Sequence, residues 1–363
     1  MIKTKFSSYC LNDIACGCKL CIKGRKLVLF ISGICSRNCY YCSLSDVRKN
    51  KDKIWANERP CQSVGEVIEE IKASHAKGAG ITGGDPLLFL ERTIEYAKAM
   101  KHEFGKRFHI HIYLPTKLVD RDKLEKLSEF VDEVRFHPEF LCRELSEEEA
   151  EEDMKKIFLA SEFWDKESIG IELPVFPDKR QEILNFILKV KEHIGFVNLN
   201  ELEISETNIN NLGKYEFKEG GYVVSGSIEA GIWILQELEK AETKIAVHLC
   251  TAELKDWHQY KNRLLLHEIL PFGKRTEDGT VLYLAIYARD DEEFNKLIKQ
   301  LKSKKVYIDN KKMRIILPEK MAEKLIKELS FNKRNKTRLF KIERVEEYPT
   351  YDGAEVMREK INA

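Results

Sequence analysis

The chain has 363 residues, and its 61 Lys and Arg residues almost balance its 60 Asp and Glu residues, so the net charge is close to zero. This balance excludes a basic field over the whole molecule, and overall charge therefore gives no argument for a nucleic-acid partner. Residues 1–8 lack the apolar core of a signal peptide, and no apolar run is long enough to span a bilayer. We therefore expect a cytoplasmic protein without a membrane partner.

The first part of the chain, residues 1–25, is rich in cysteine and has little periodic pattern. Seven of the ten cysteines fall within the first 42 residues. In a reducing cytosol, cysteines at this density bind metal more often than they form disulfides. The other three, Cys61, Cys142 and Cys250, are isolated, and we expect them to be buried apolar residues, with metal binding or hydrogen-atom donation as the alternative for Cys250.

Strands and helices alternate from residue 26 to about residue 266. The predicted strands are 26–32, 79–82, 108–114, 133–136, 168–174, 196–204, a short strand near Tyr222, and 244–249. The predicted helices are 63–77, 88–103, 120–130, 147–162, 179–193, 228–240 and 254–266. Such alternation is typical of parallel βαβ units, and the units are too few for a complete eightfold barrel. The pattern therefore predicts a partial (β/α) barrel with an open side.

From Gly279 onwards the pattern changes. A strand (280–287), a helix (291–302), a hairpin (306–309 and 312–317), a helix (320–329) and a strand (338–345) follow one another. This β-α-β-β-α-β order is typical of a ferredoxin-like domain. We therefore predict an α/β protein with a cysteine-rich metal-binding segment (1–25), a partial barrel (26–274), a small ferredoxin-like α+β domain (275–348) and a C-terminal tail (349–363).

Three cysteines, Cys35, Cys39 and Cys42, lie directly after the first predicted barrel strand. Iron–sulfur clusters take cysteine thiolates at such short spacings, because one loop then wraps one face of the cluster. Three ligands leave one iron of a 4Fe–4S cluster without a protein ligand. On spacing alone, the alternative is a zinc site whose fourth ligand lies elsewhere in the chain.

The turn after the next strand, residues 81–86, contains Gly83 and Gly84, and two glycines let a backbone approach a ligand closely. The cysteine loop and this turn, in this order, resemble the two sequence motifs of the radical S-adenosylmethionine (SAM) superfamily, C-x3-C-x-aromatic-C and a GGE-type motif. The resemblance covers about residues 26–266. Asp85 stands where the family more often has glutamate, and we expect the shorter carboxylate to keep the same role.

This resemblance implies a set of cofactors and the residues that hold them. Cys35, Cys39 and Cys42 would bind a 4Fe–4S cluster, Tyr41 would lie near the adenine of SAM, and Gly83, Gly84 and Asp85 would contact its methionine amino group. The reduced cluster would cleave SAM into methionine and a 5′-deoxyadenosyl radical, which takes a hydrogen atom from the substrate. The resemblance also implies an electron donor such as ferredoxin or flavodoxin, and sensitivity to oxygen.

Further contacts are predicted from positions at the ends of strands, where such barrels bind ligands. Thr116 is a candidate for a hydrogen bond to the ribose of SAM, and the alternative is a helix cap before Asp120. Polar residues of the later strands are candidates for the pocket wall: Arg135, His137, Glu172, Asn198, Asn200 and Glu203.

Four cysteines of the first segment, Cys10, Cys16, Cys18 and Cys21, form a second candidate metal site. Their density makes simple burial a poor explanation. Two interpretations stay open, because both metals accept four thiolates: an auxiliary 4Fe–4S cluster or a structural zinc ion.

Within the superfamily the sequence resembles archaeal proteins related to pyruvate formate-lyase activating enzyme, through the N-terminal cysteines, the cluster loop and residues 55–59. Three functions remain: an activase that makes a glycyl radical on a partner protein, an enzyme that modifies RNA or a small molecule, and a non-enzymatic iron–sulfur or zinc protein. The basic segment 333–338 would contact phosphate in the second case. The sequence does not define the substrate or the oligomeric state.

Overall fold

The computed structural model describes residues 1–301, 304–331 and 341–361, and for residues 327–331 it describes the backbone. The chain forms two compact units, Met1–Arg263 and Leu264–Ala363. The basic segment 333–338 and the start of the strand predicted over 338–345 lie outside the described residues. The domain boundaries drawn from the sequence stay predictions. In the described residues, no helix is long and apolar enough to cross a membrane.

The first unit consists of one sheet and the helices that connect its strands. The strands are β1 (Ile2–Lys3), β2 (Tyr9–Leu11), β3 (Lys26–Phe30), β4 (Ile54–Ala56), β5 (Arg59–Cys61), β6 (Gly78–Thr82), β7 (His109–Pro115), β8 (Glu133–His137), β9 (Ile169–Val175), β10 (Phe196–Glu201) and β11 (Ala246–Cys250). The helices are α1 (Cys16–Ile22), α2 (Val64–Ala73), α3 (Leu90–Phe104), α4 (Arg121–Ser128), α5 (Glu147–Phe158), α6 (Arg180–Val190), α7 (Ser227–Lys240) and α8 (Ala252–Leu254). A π-helix (Lys255–Tyr260) and α9 (Lys261–Leu266) follow.

The strand order confirms the predicted partial barrel. Among the described residues, seven strands, β3 and β6 to β11, lie side by side in chain order, and each pairs in parallel with the next. The sheet path ends at β1 and at β5, so the described sheet is open. Helices connect the strands because a parallel pair requires a crossover.

Two differences from the predicted elements concern short segments. The strand expected near Tyr222 is replaced by two isolated bridges, Glu203–Val223 and Phe217–Val224. The antiparallel strands β1, β2, β4 and β5 extend the two sides of the sheet and were not predicted. Elements of two or three residues carry no readable periodicity, and they form here because a neighbouring strand offers free backbone groups.

The inner face of the barrel is polar. Alternate residues of a strand point to opposite faces of the sheet, and here the apolar residues point outwards to the helices and the polar residues point inwards. In β8, Val134 and Phe136 belong to the main apolar core, whereas Glu133 and Arg135 are buried on the other face. The same alternation holds in β10 and β11, where Asn198 and His248 are buried polar residues between apolar neighbours. Buried polar groups require hydrogen-bond partners, so the segment that covers this face must supply donors and acceptors.

Helix α1 supplies part of that cover. The Gly17 backbone N–H donates to Glu133 Oε2 at 2.9 Å, and Arg135 Nη2 donates to Cys18 Sγ at 3.3 Å. A Cβ atom at Gly17 would lie 2.5 Å from His111 Nδ1, so only glycine permits this approach. The cysteine-rich segment is therefore packed against the polar interior of the barrel.

The second unit contains β12 (Lys274–Arg275), β13 (Val281–Tyr287), α10 (Asp291–Leu301), β14 (Tyr307–Asp309), β15 (Arg314–Ile316), α11 (Glu319–Phe331), β16 (Ile342–Glu347) and β17 (Glu355–Lys360). The antiparallel order β14-β15-β13-β16 is that of the predicted ferredoxin-like motif. Residues 349–363, predicted as a tail, contain β17, which pairs with β16.

We expect Arg314→Met to destabilise the second unit. The Arg314 side chain is fully buried, donates to both carboxylate oxygens of Glu347 at 2.7 and 2.9 Å, and donates to Asp309 at 2.7 Å. Its removal takes the guanidinium away from two buried carboxylates, of which Glu347 keeps its pair with Lys312, and breaking such a buried pair costs about 3–5 kcal/mol. Hydrogen exchange of β13 and β16 in the full chain should accelerate accordingly.

The matched control is Arg344→Met, which breaks an exposed pair with Glu359 and should cost less than about 1 kcal/mol. Equal exchange rates in the two variants would contradict the expectation.

Candidate active site

A cavity of about 340 Å³ lies at the carboxyl ends of β6 to β10 in the first unit. This is the size of a small-molecule site, and it lies where ligands bind in barrels of this type. Six residues predicted as ligands or cofactor contacts line it: Cys35, Cys39, Tyr41, Cys42, Gly83 and Gly84. The structure therefore brings the cysteine loop and the glycine turn to one cavity.

The cysteine loop carries three half-buried thiols, those of Cys35, Cys39 and Cys42. The backbone N–H of Arg37 points at Cys35 Sγ at 3.4 Å, and the Cys42 N–H donates to the Cys39 carbonyl at 3.1 Å, which curls the loop. Burial raises the pKa of the Cys35 thiol, so a positively charged metal centre is needed to hold it as a thiolate.

Arg37 ties the cysteine loop to the end of β8. Its Nη1 donates to the His137 carbonyl at 2.6 Å, and its Nε–H is buried without an acceptor. The loop itself presents three thiols to one cavity, and three thiolates at this spacing fit a 4Fe–4S cluster that takes three protein ligands.

The glycine turn is packed against the start of the cysteine loop. The Gly84 N–H donates to the Ser32 carbonyl at 2.8 Å, and the Asp85 N–H donates to the Ile34 carbonyl at 3.0 Å. A Cβ atom at Gly84 would lie 2.2 Å from the Ile34 carbonyl oxygen and 2.9 Å from Cys35 Cβ. Glycine is therefore required here by the loop itself, in addition to any requirement of a ligand.

Asp85 and Thr116 lie behind the cavity wall and already have partners. Asp85 accepts from Ser36 Oγ at 2.5 Å and from the Leu87 N–H at 3.0 Å, and burial raises the pKa of its carboxyl. Thr116 is buried and is hydrogen-bonded to Arg37 and Asp153. The structure thus shows Asp85 joining the turn to the loop, and SAM contacts by either residue stay predictions. The side chain of Asp120 itself caps α4.

A fourth thiol, that of Cys142, stands directly behind Cys39. The sequence predicted a buried apolar residue here, whereas the structure shows a half-buried thiol in contact with polar groups. The two sulfurs are 2.7 Å apart, and Tyr41 Oη lies 3.2 Å from Cys142 Sγ and 2.6 Å from His137 Nε2. The contact between the two thiols lowers the pKa of the Cys142 thiol and raises that of the Cys39 thiol. The sequence feature that could have indicated this contact is a histidine at the end of a strand, His137, with a cysteine, Cys142, in the loop that follows.

The far wall of the cavity carries fixed charges. Glu172 accepts from Asn200 Nδ2 at 2.6 Å and from Arg135 Nη1 at 3.1 Å. Lys255 donates to Glu203 from the π-helix, a helix type that is frequent at functional sites. Of the six candidate wall residues, His137, Glu172, Asn200 and Glu203 line the cavity, and Arg135 and Asn198 lie beneath it.

The N-terminal cysteines are spread over two elements. Cys10 is buried in β2, Cys16 is exposed at the start of α1, and Cys18 and Cys21 lie further along α1. Burial raises the pKa of the Cys18 and Cys21 thiols. In the described residues these thiols do not gather three ligand atoms within 4.8 Å, as one zinc ion would require. A multi-iron cluster spaces its thiolates farther apart, so the auxiliary site stays a prediction.

An open parallel barrel with a three-cysteine loop and a glycine turn at one cavity defines a radical SAM enzyme. Residues 29–158 match the radical SAM superfamily. Over 350 residues the chain is 37% identical to "Putative glycyl-radical enzyme activating enzyme MJ0021" of Methanocaldococcus jannaschii, covering 94% of this chain and 91% of that protein. The chain belongs to the radical SAM superfamily, whose enzymes use a 4Fe–4S cluster and SAM, and the non-enzymatic alternative is set aside.

Two solved structures are similar to this chain at low identity. The radical SAM methyltransferase TsrM from Kitasatospora setae is 12% identical to this chain, with a TM-score of 0.37. The matched region covers 69% of this chain and 52% of the TsrM chain. Coproporphyrinogen III oxidase (HemN) from Escherichia coli is 12% identical to this chain, with a TM-score of 0.40. The matched region covers 90% of this chain and 81% of the HemN chain. At these scores the similarities carry no argument about the substrate.

Proposed function

We propose that Cys35, Cys39 and Cys42 hold the 4Fe–4S cluster and that SAM binds between their loop and the Gly83–Gly84 turn. The observation that supports this assignment is that the three thiols and both glycines line the same cavity. When bound, the cluster supplies the electron that cleaves SAM and leaves a 5′-deoxyadenosyl radical.

The protein residues would position these partners in the cavity. The hydrogen bond from the Gly84 N–H to the Ser32 carbonyl holds the Gly83–Gly84 turn against the loop, and the other backbone groups of the turn would contact the methionine part of SAM. Tyr41 is buried in the wall beside the cysteines, where the adenine is expected. Glu172, Glu203 and Lys255 face the remaining space and provide fixed charges for the substrate.

The substrate that we propose is a glycyl residue of a partner protein, and an electron donor such as ferredoxin or flavodoxin reduces the cluster. The support for a protein substrate is the 37% identity, over 94% of the chain, to a protein named for glycyl-radical enzyme activation. The radical would then remove one hydrogen atom from a glycyl Cα, giving 5′-deoxyadenosine and a glycyl radical. The segment 333–338, on which the RNA alternative depends, lies outside the described residues.

A deuterium-transfer experiment tests the substrate class. The anaerobically reconstituted, reduced protein is incubated with SAM and with the protein fraction of cells of the source organism grown on α,α-dideuterated glycine. We expect 5′-deoxyadenosine that has gained one deuterium, and none with the RNA fraction or with the Cys42→Ala variant. Unlabelled 5′-deoxyadenosine would overturn the glycyl substrate and leave the radical chemistry intact. The absence of any 5′-deoxyadenosine would overturn the assignment of the cavity.

A further inference from the structure

Three metal-ligating side chains meet behind the cluster loop, and SAM cleavage does not use two of them. The ligand atoms of Cys39, His137 and Cys142 all lie within 4.8 Å of one another, and all three residues are half-buried. Cys39 and His137 also line the cavity. Two sulfurs and one imidazole nitrogen are a donor set that suits zinc.

The ring of His137 is oriented as a metal ligand. Its Nδ1 lies 2.9 Å from the backbone carbonyl of Glu172, which can only accept, so the proton is on Nδ1. Nε2 is therefore the atom with the free lone pair, and it accepts from Tyr41 Oη at 2.6 Å. Metal-binding histidines have this arrangement, in which a carbonyl fixes one ring N–H and the other nitrogen faces the metal.

We propose that Cys39, His137 and Cys142 bind a single Zn²⁺ ion when the loop carries no cluster. Two thiols would lose their protons and His137 would stay neutral, so the ion and its ligands form a neutral site. The fourth position opens to the cavity and takes water. Tetrahedral zinc with Zn–S bonds of about 2.3 Å spaces two sulfurs about 3.8 Å apart, so the sulfurs must separate by about 1 Å.

Binding of zinc at this site excludes the cluster, because Cys39 cannot serve both. This consequence rests on the proposed role of Cys39 as a cluster ligand, whereas the zinc site itself does not. Zinc at this position would hold the enzyme in an inactive state until the metal is removed.

Cobalt(II) is the probe, because it prefers the same tetrahedral sites and its bound thiolates give charge-transfer absorption. The full-length, reduced, cluster-free protein is titrated with Co²⁺ and then with Zn²⁺. The measured quantity is the number of cobalt ions per chain that zinc displaces. We expect the wild type and Cys42→Ala to bind one such ion more than Cys142→Ala, Cys142→Ser or His137→Ala. In those three variants the affinity of this site should fall by at least about 100-fold. The N-terminal thiols add the same background to every protein.

Cluster assembly gives the second readout. Pre-loaded zinc should block iron and sulfide incorporation into the wild type, and Cys142→Ala should assemble the cluster in spite of zinc. Equal cobalt binding in the wild type and in both Cys142 variants would overturn the proposal. So would a reduced wild type that binds no more cobalt than Cys142→Ala while air oxidation links Cys39 to Cys142 by a disulfide. If Cys42→Ala still assembles the cluster, the proposed function fails and the cobalt result stands on its own.

Discussion

Replacing Cys35 or Cys42 with alanine is expected to remove the SAM-cleaving cluster and to reduce 5′-deoxyadenosine formation to background. Each thiol lines the cavity, and each would bind a different iron, so the loss of one leaves the cluster with two protein ligands. Loss of an outer partner of a metal ligand already costs roughly 10–100-fold, and loss of a ligand should cost more. The measurements are iron and sulfide per chain and the rate of 5′-deoxyadenosine formation after anaerobic reconstitution.

The matched control is Cys61→Ala, which removes a thiol from β5 at the edge of the sheet. We expect this variant to keep its cluster and its rate. Iron remaining in the Cys35 and Cys42 variants would report on the N-terminal thiols. Normal SAM cleavage in either loop variant would show that the cluster is held elsewhere.

Gly84→Ala is expected to impair SAM cleavage about 100-fold without unfolding the protein. The new Cβ would meet the backbone of Ile34, 2.2 Å from its oxygen and 2.5 Å from its carbonyl carbon, and backbone cannot rotate away. The cysteine loop must therefore shift, at a cost of about 1–3 kcal/mol in folding free energy. A displacement of about 1 Å at a reacting centre is enough for a 100-fold loss of rate.

Gly65→Ala is the control for this substitution. Gly65 lies in the first turn of α2, where a Cβ would meet only Ser63 Oγ, at 3.8 Å. We expect it to leave the rate unchanged and to stabilise the helix by up to about 1 kcal/mol. Thermal unfolding, SAM binding by equilibrium dialysis and the cleavage rate should be measured for both variants. A wild-type rate in Gly84→Ala would disprove the close packing of turn and loop.

The sequence by itself determined the features that depend on neighbours in the chain. The spacing of Cys35, Cys39 and Cys42 and the position of the glycine turn after the next strand can be read directly, because each feature is formed by one short loop. The alternation of strands and helices likewise predicted the parallel sheet and the ferredoxin-like motif, since side-chain periodicity reflects which face is buried.

Only the tertiary structure decided which distant side chains meet. Cys142 stands against Cys39 although 103 positions separate them. Thr116 is hydrogen-bonded to Arg37 and Asp153, and α1 brings Cys18 to Arg135 in the polar barrel interior. Such contacts follow from the order of strands in the sheet, and no local spacing encodes that order. The burial that results then decides which polar groups have partners and which, like the Arg37 Nε–H, have none among the described residues.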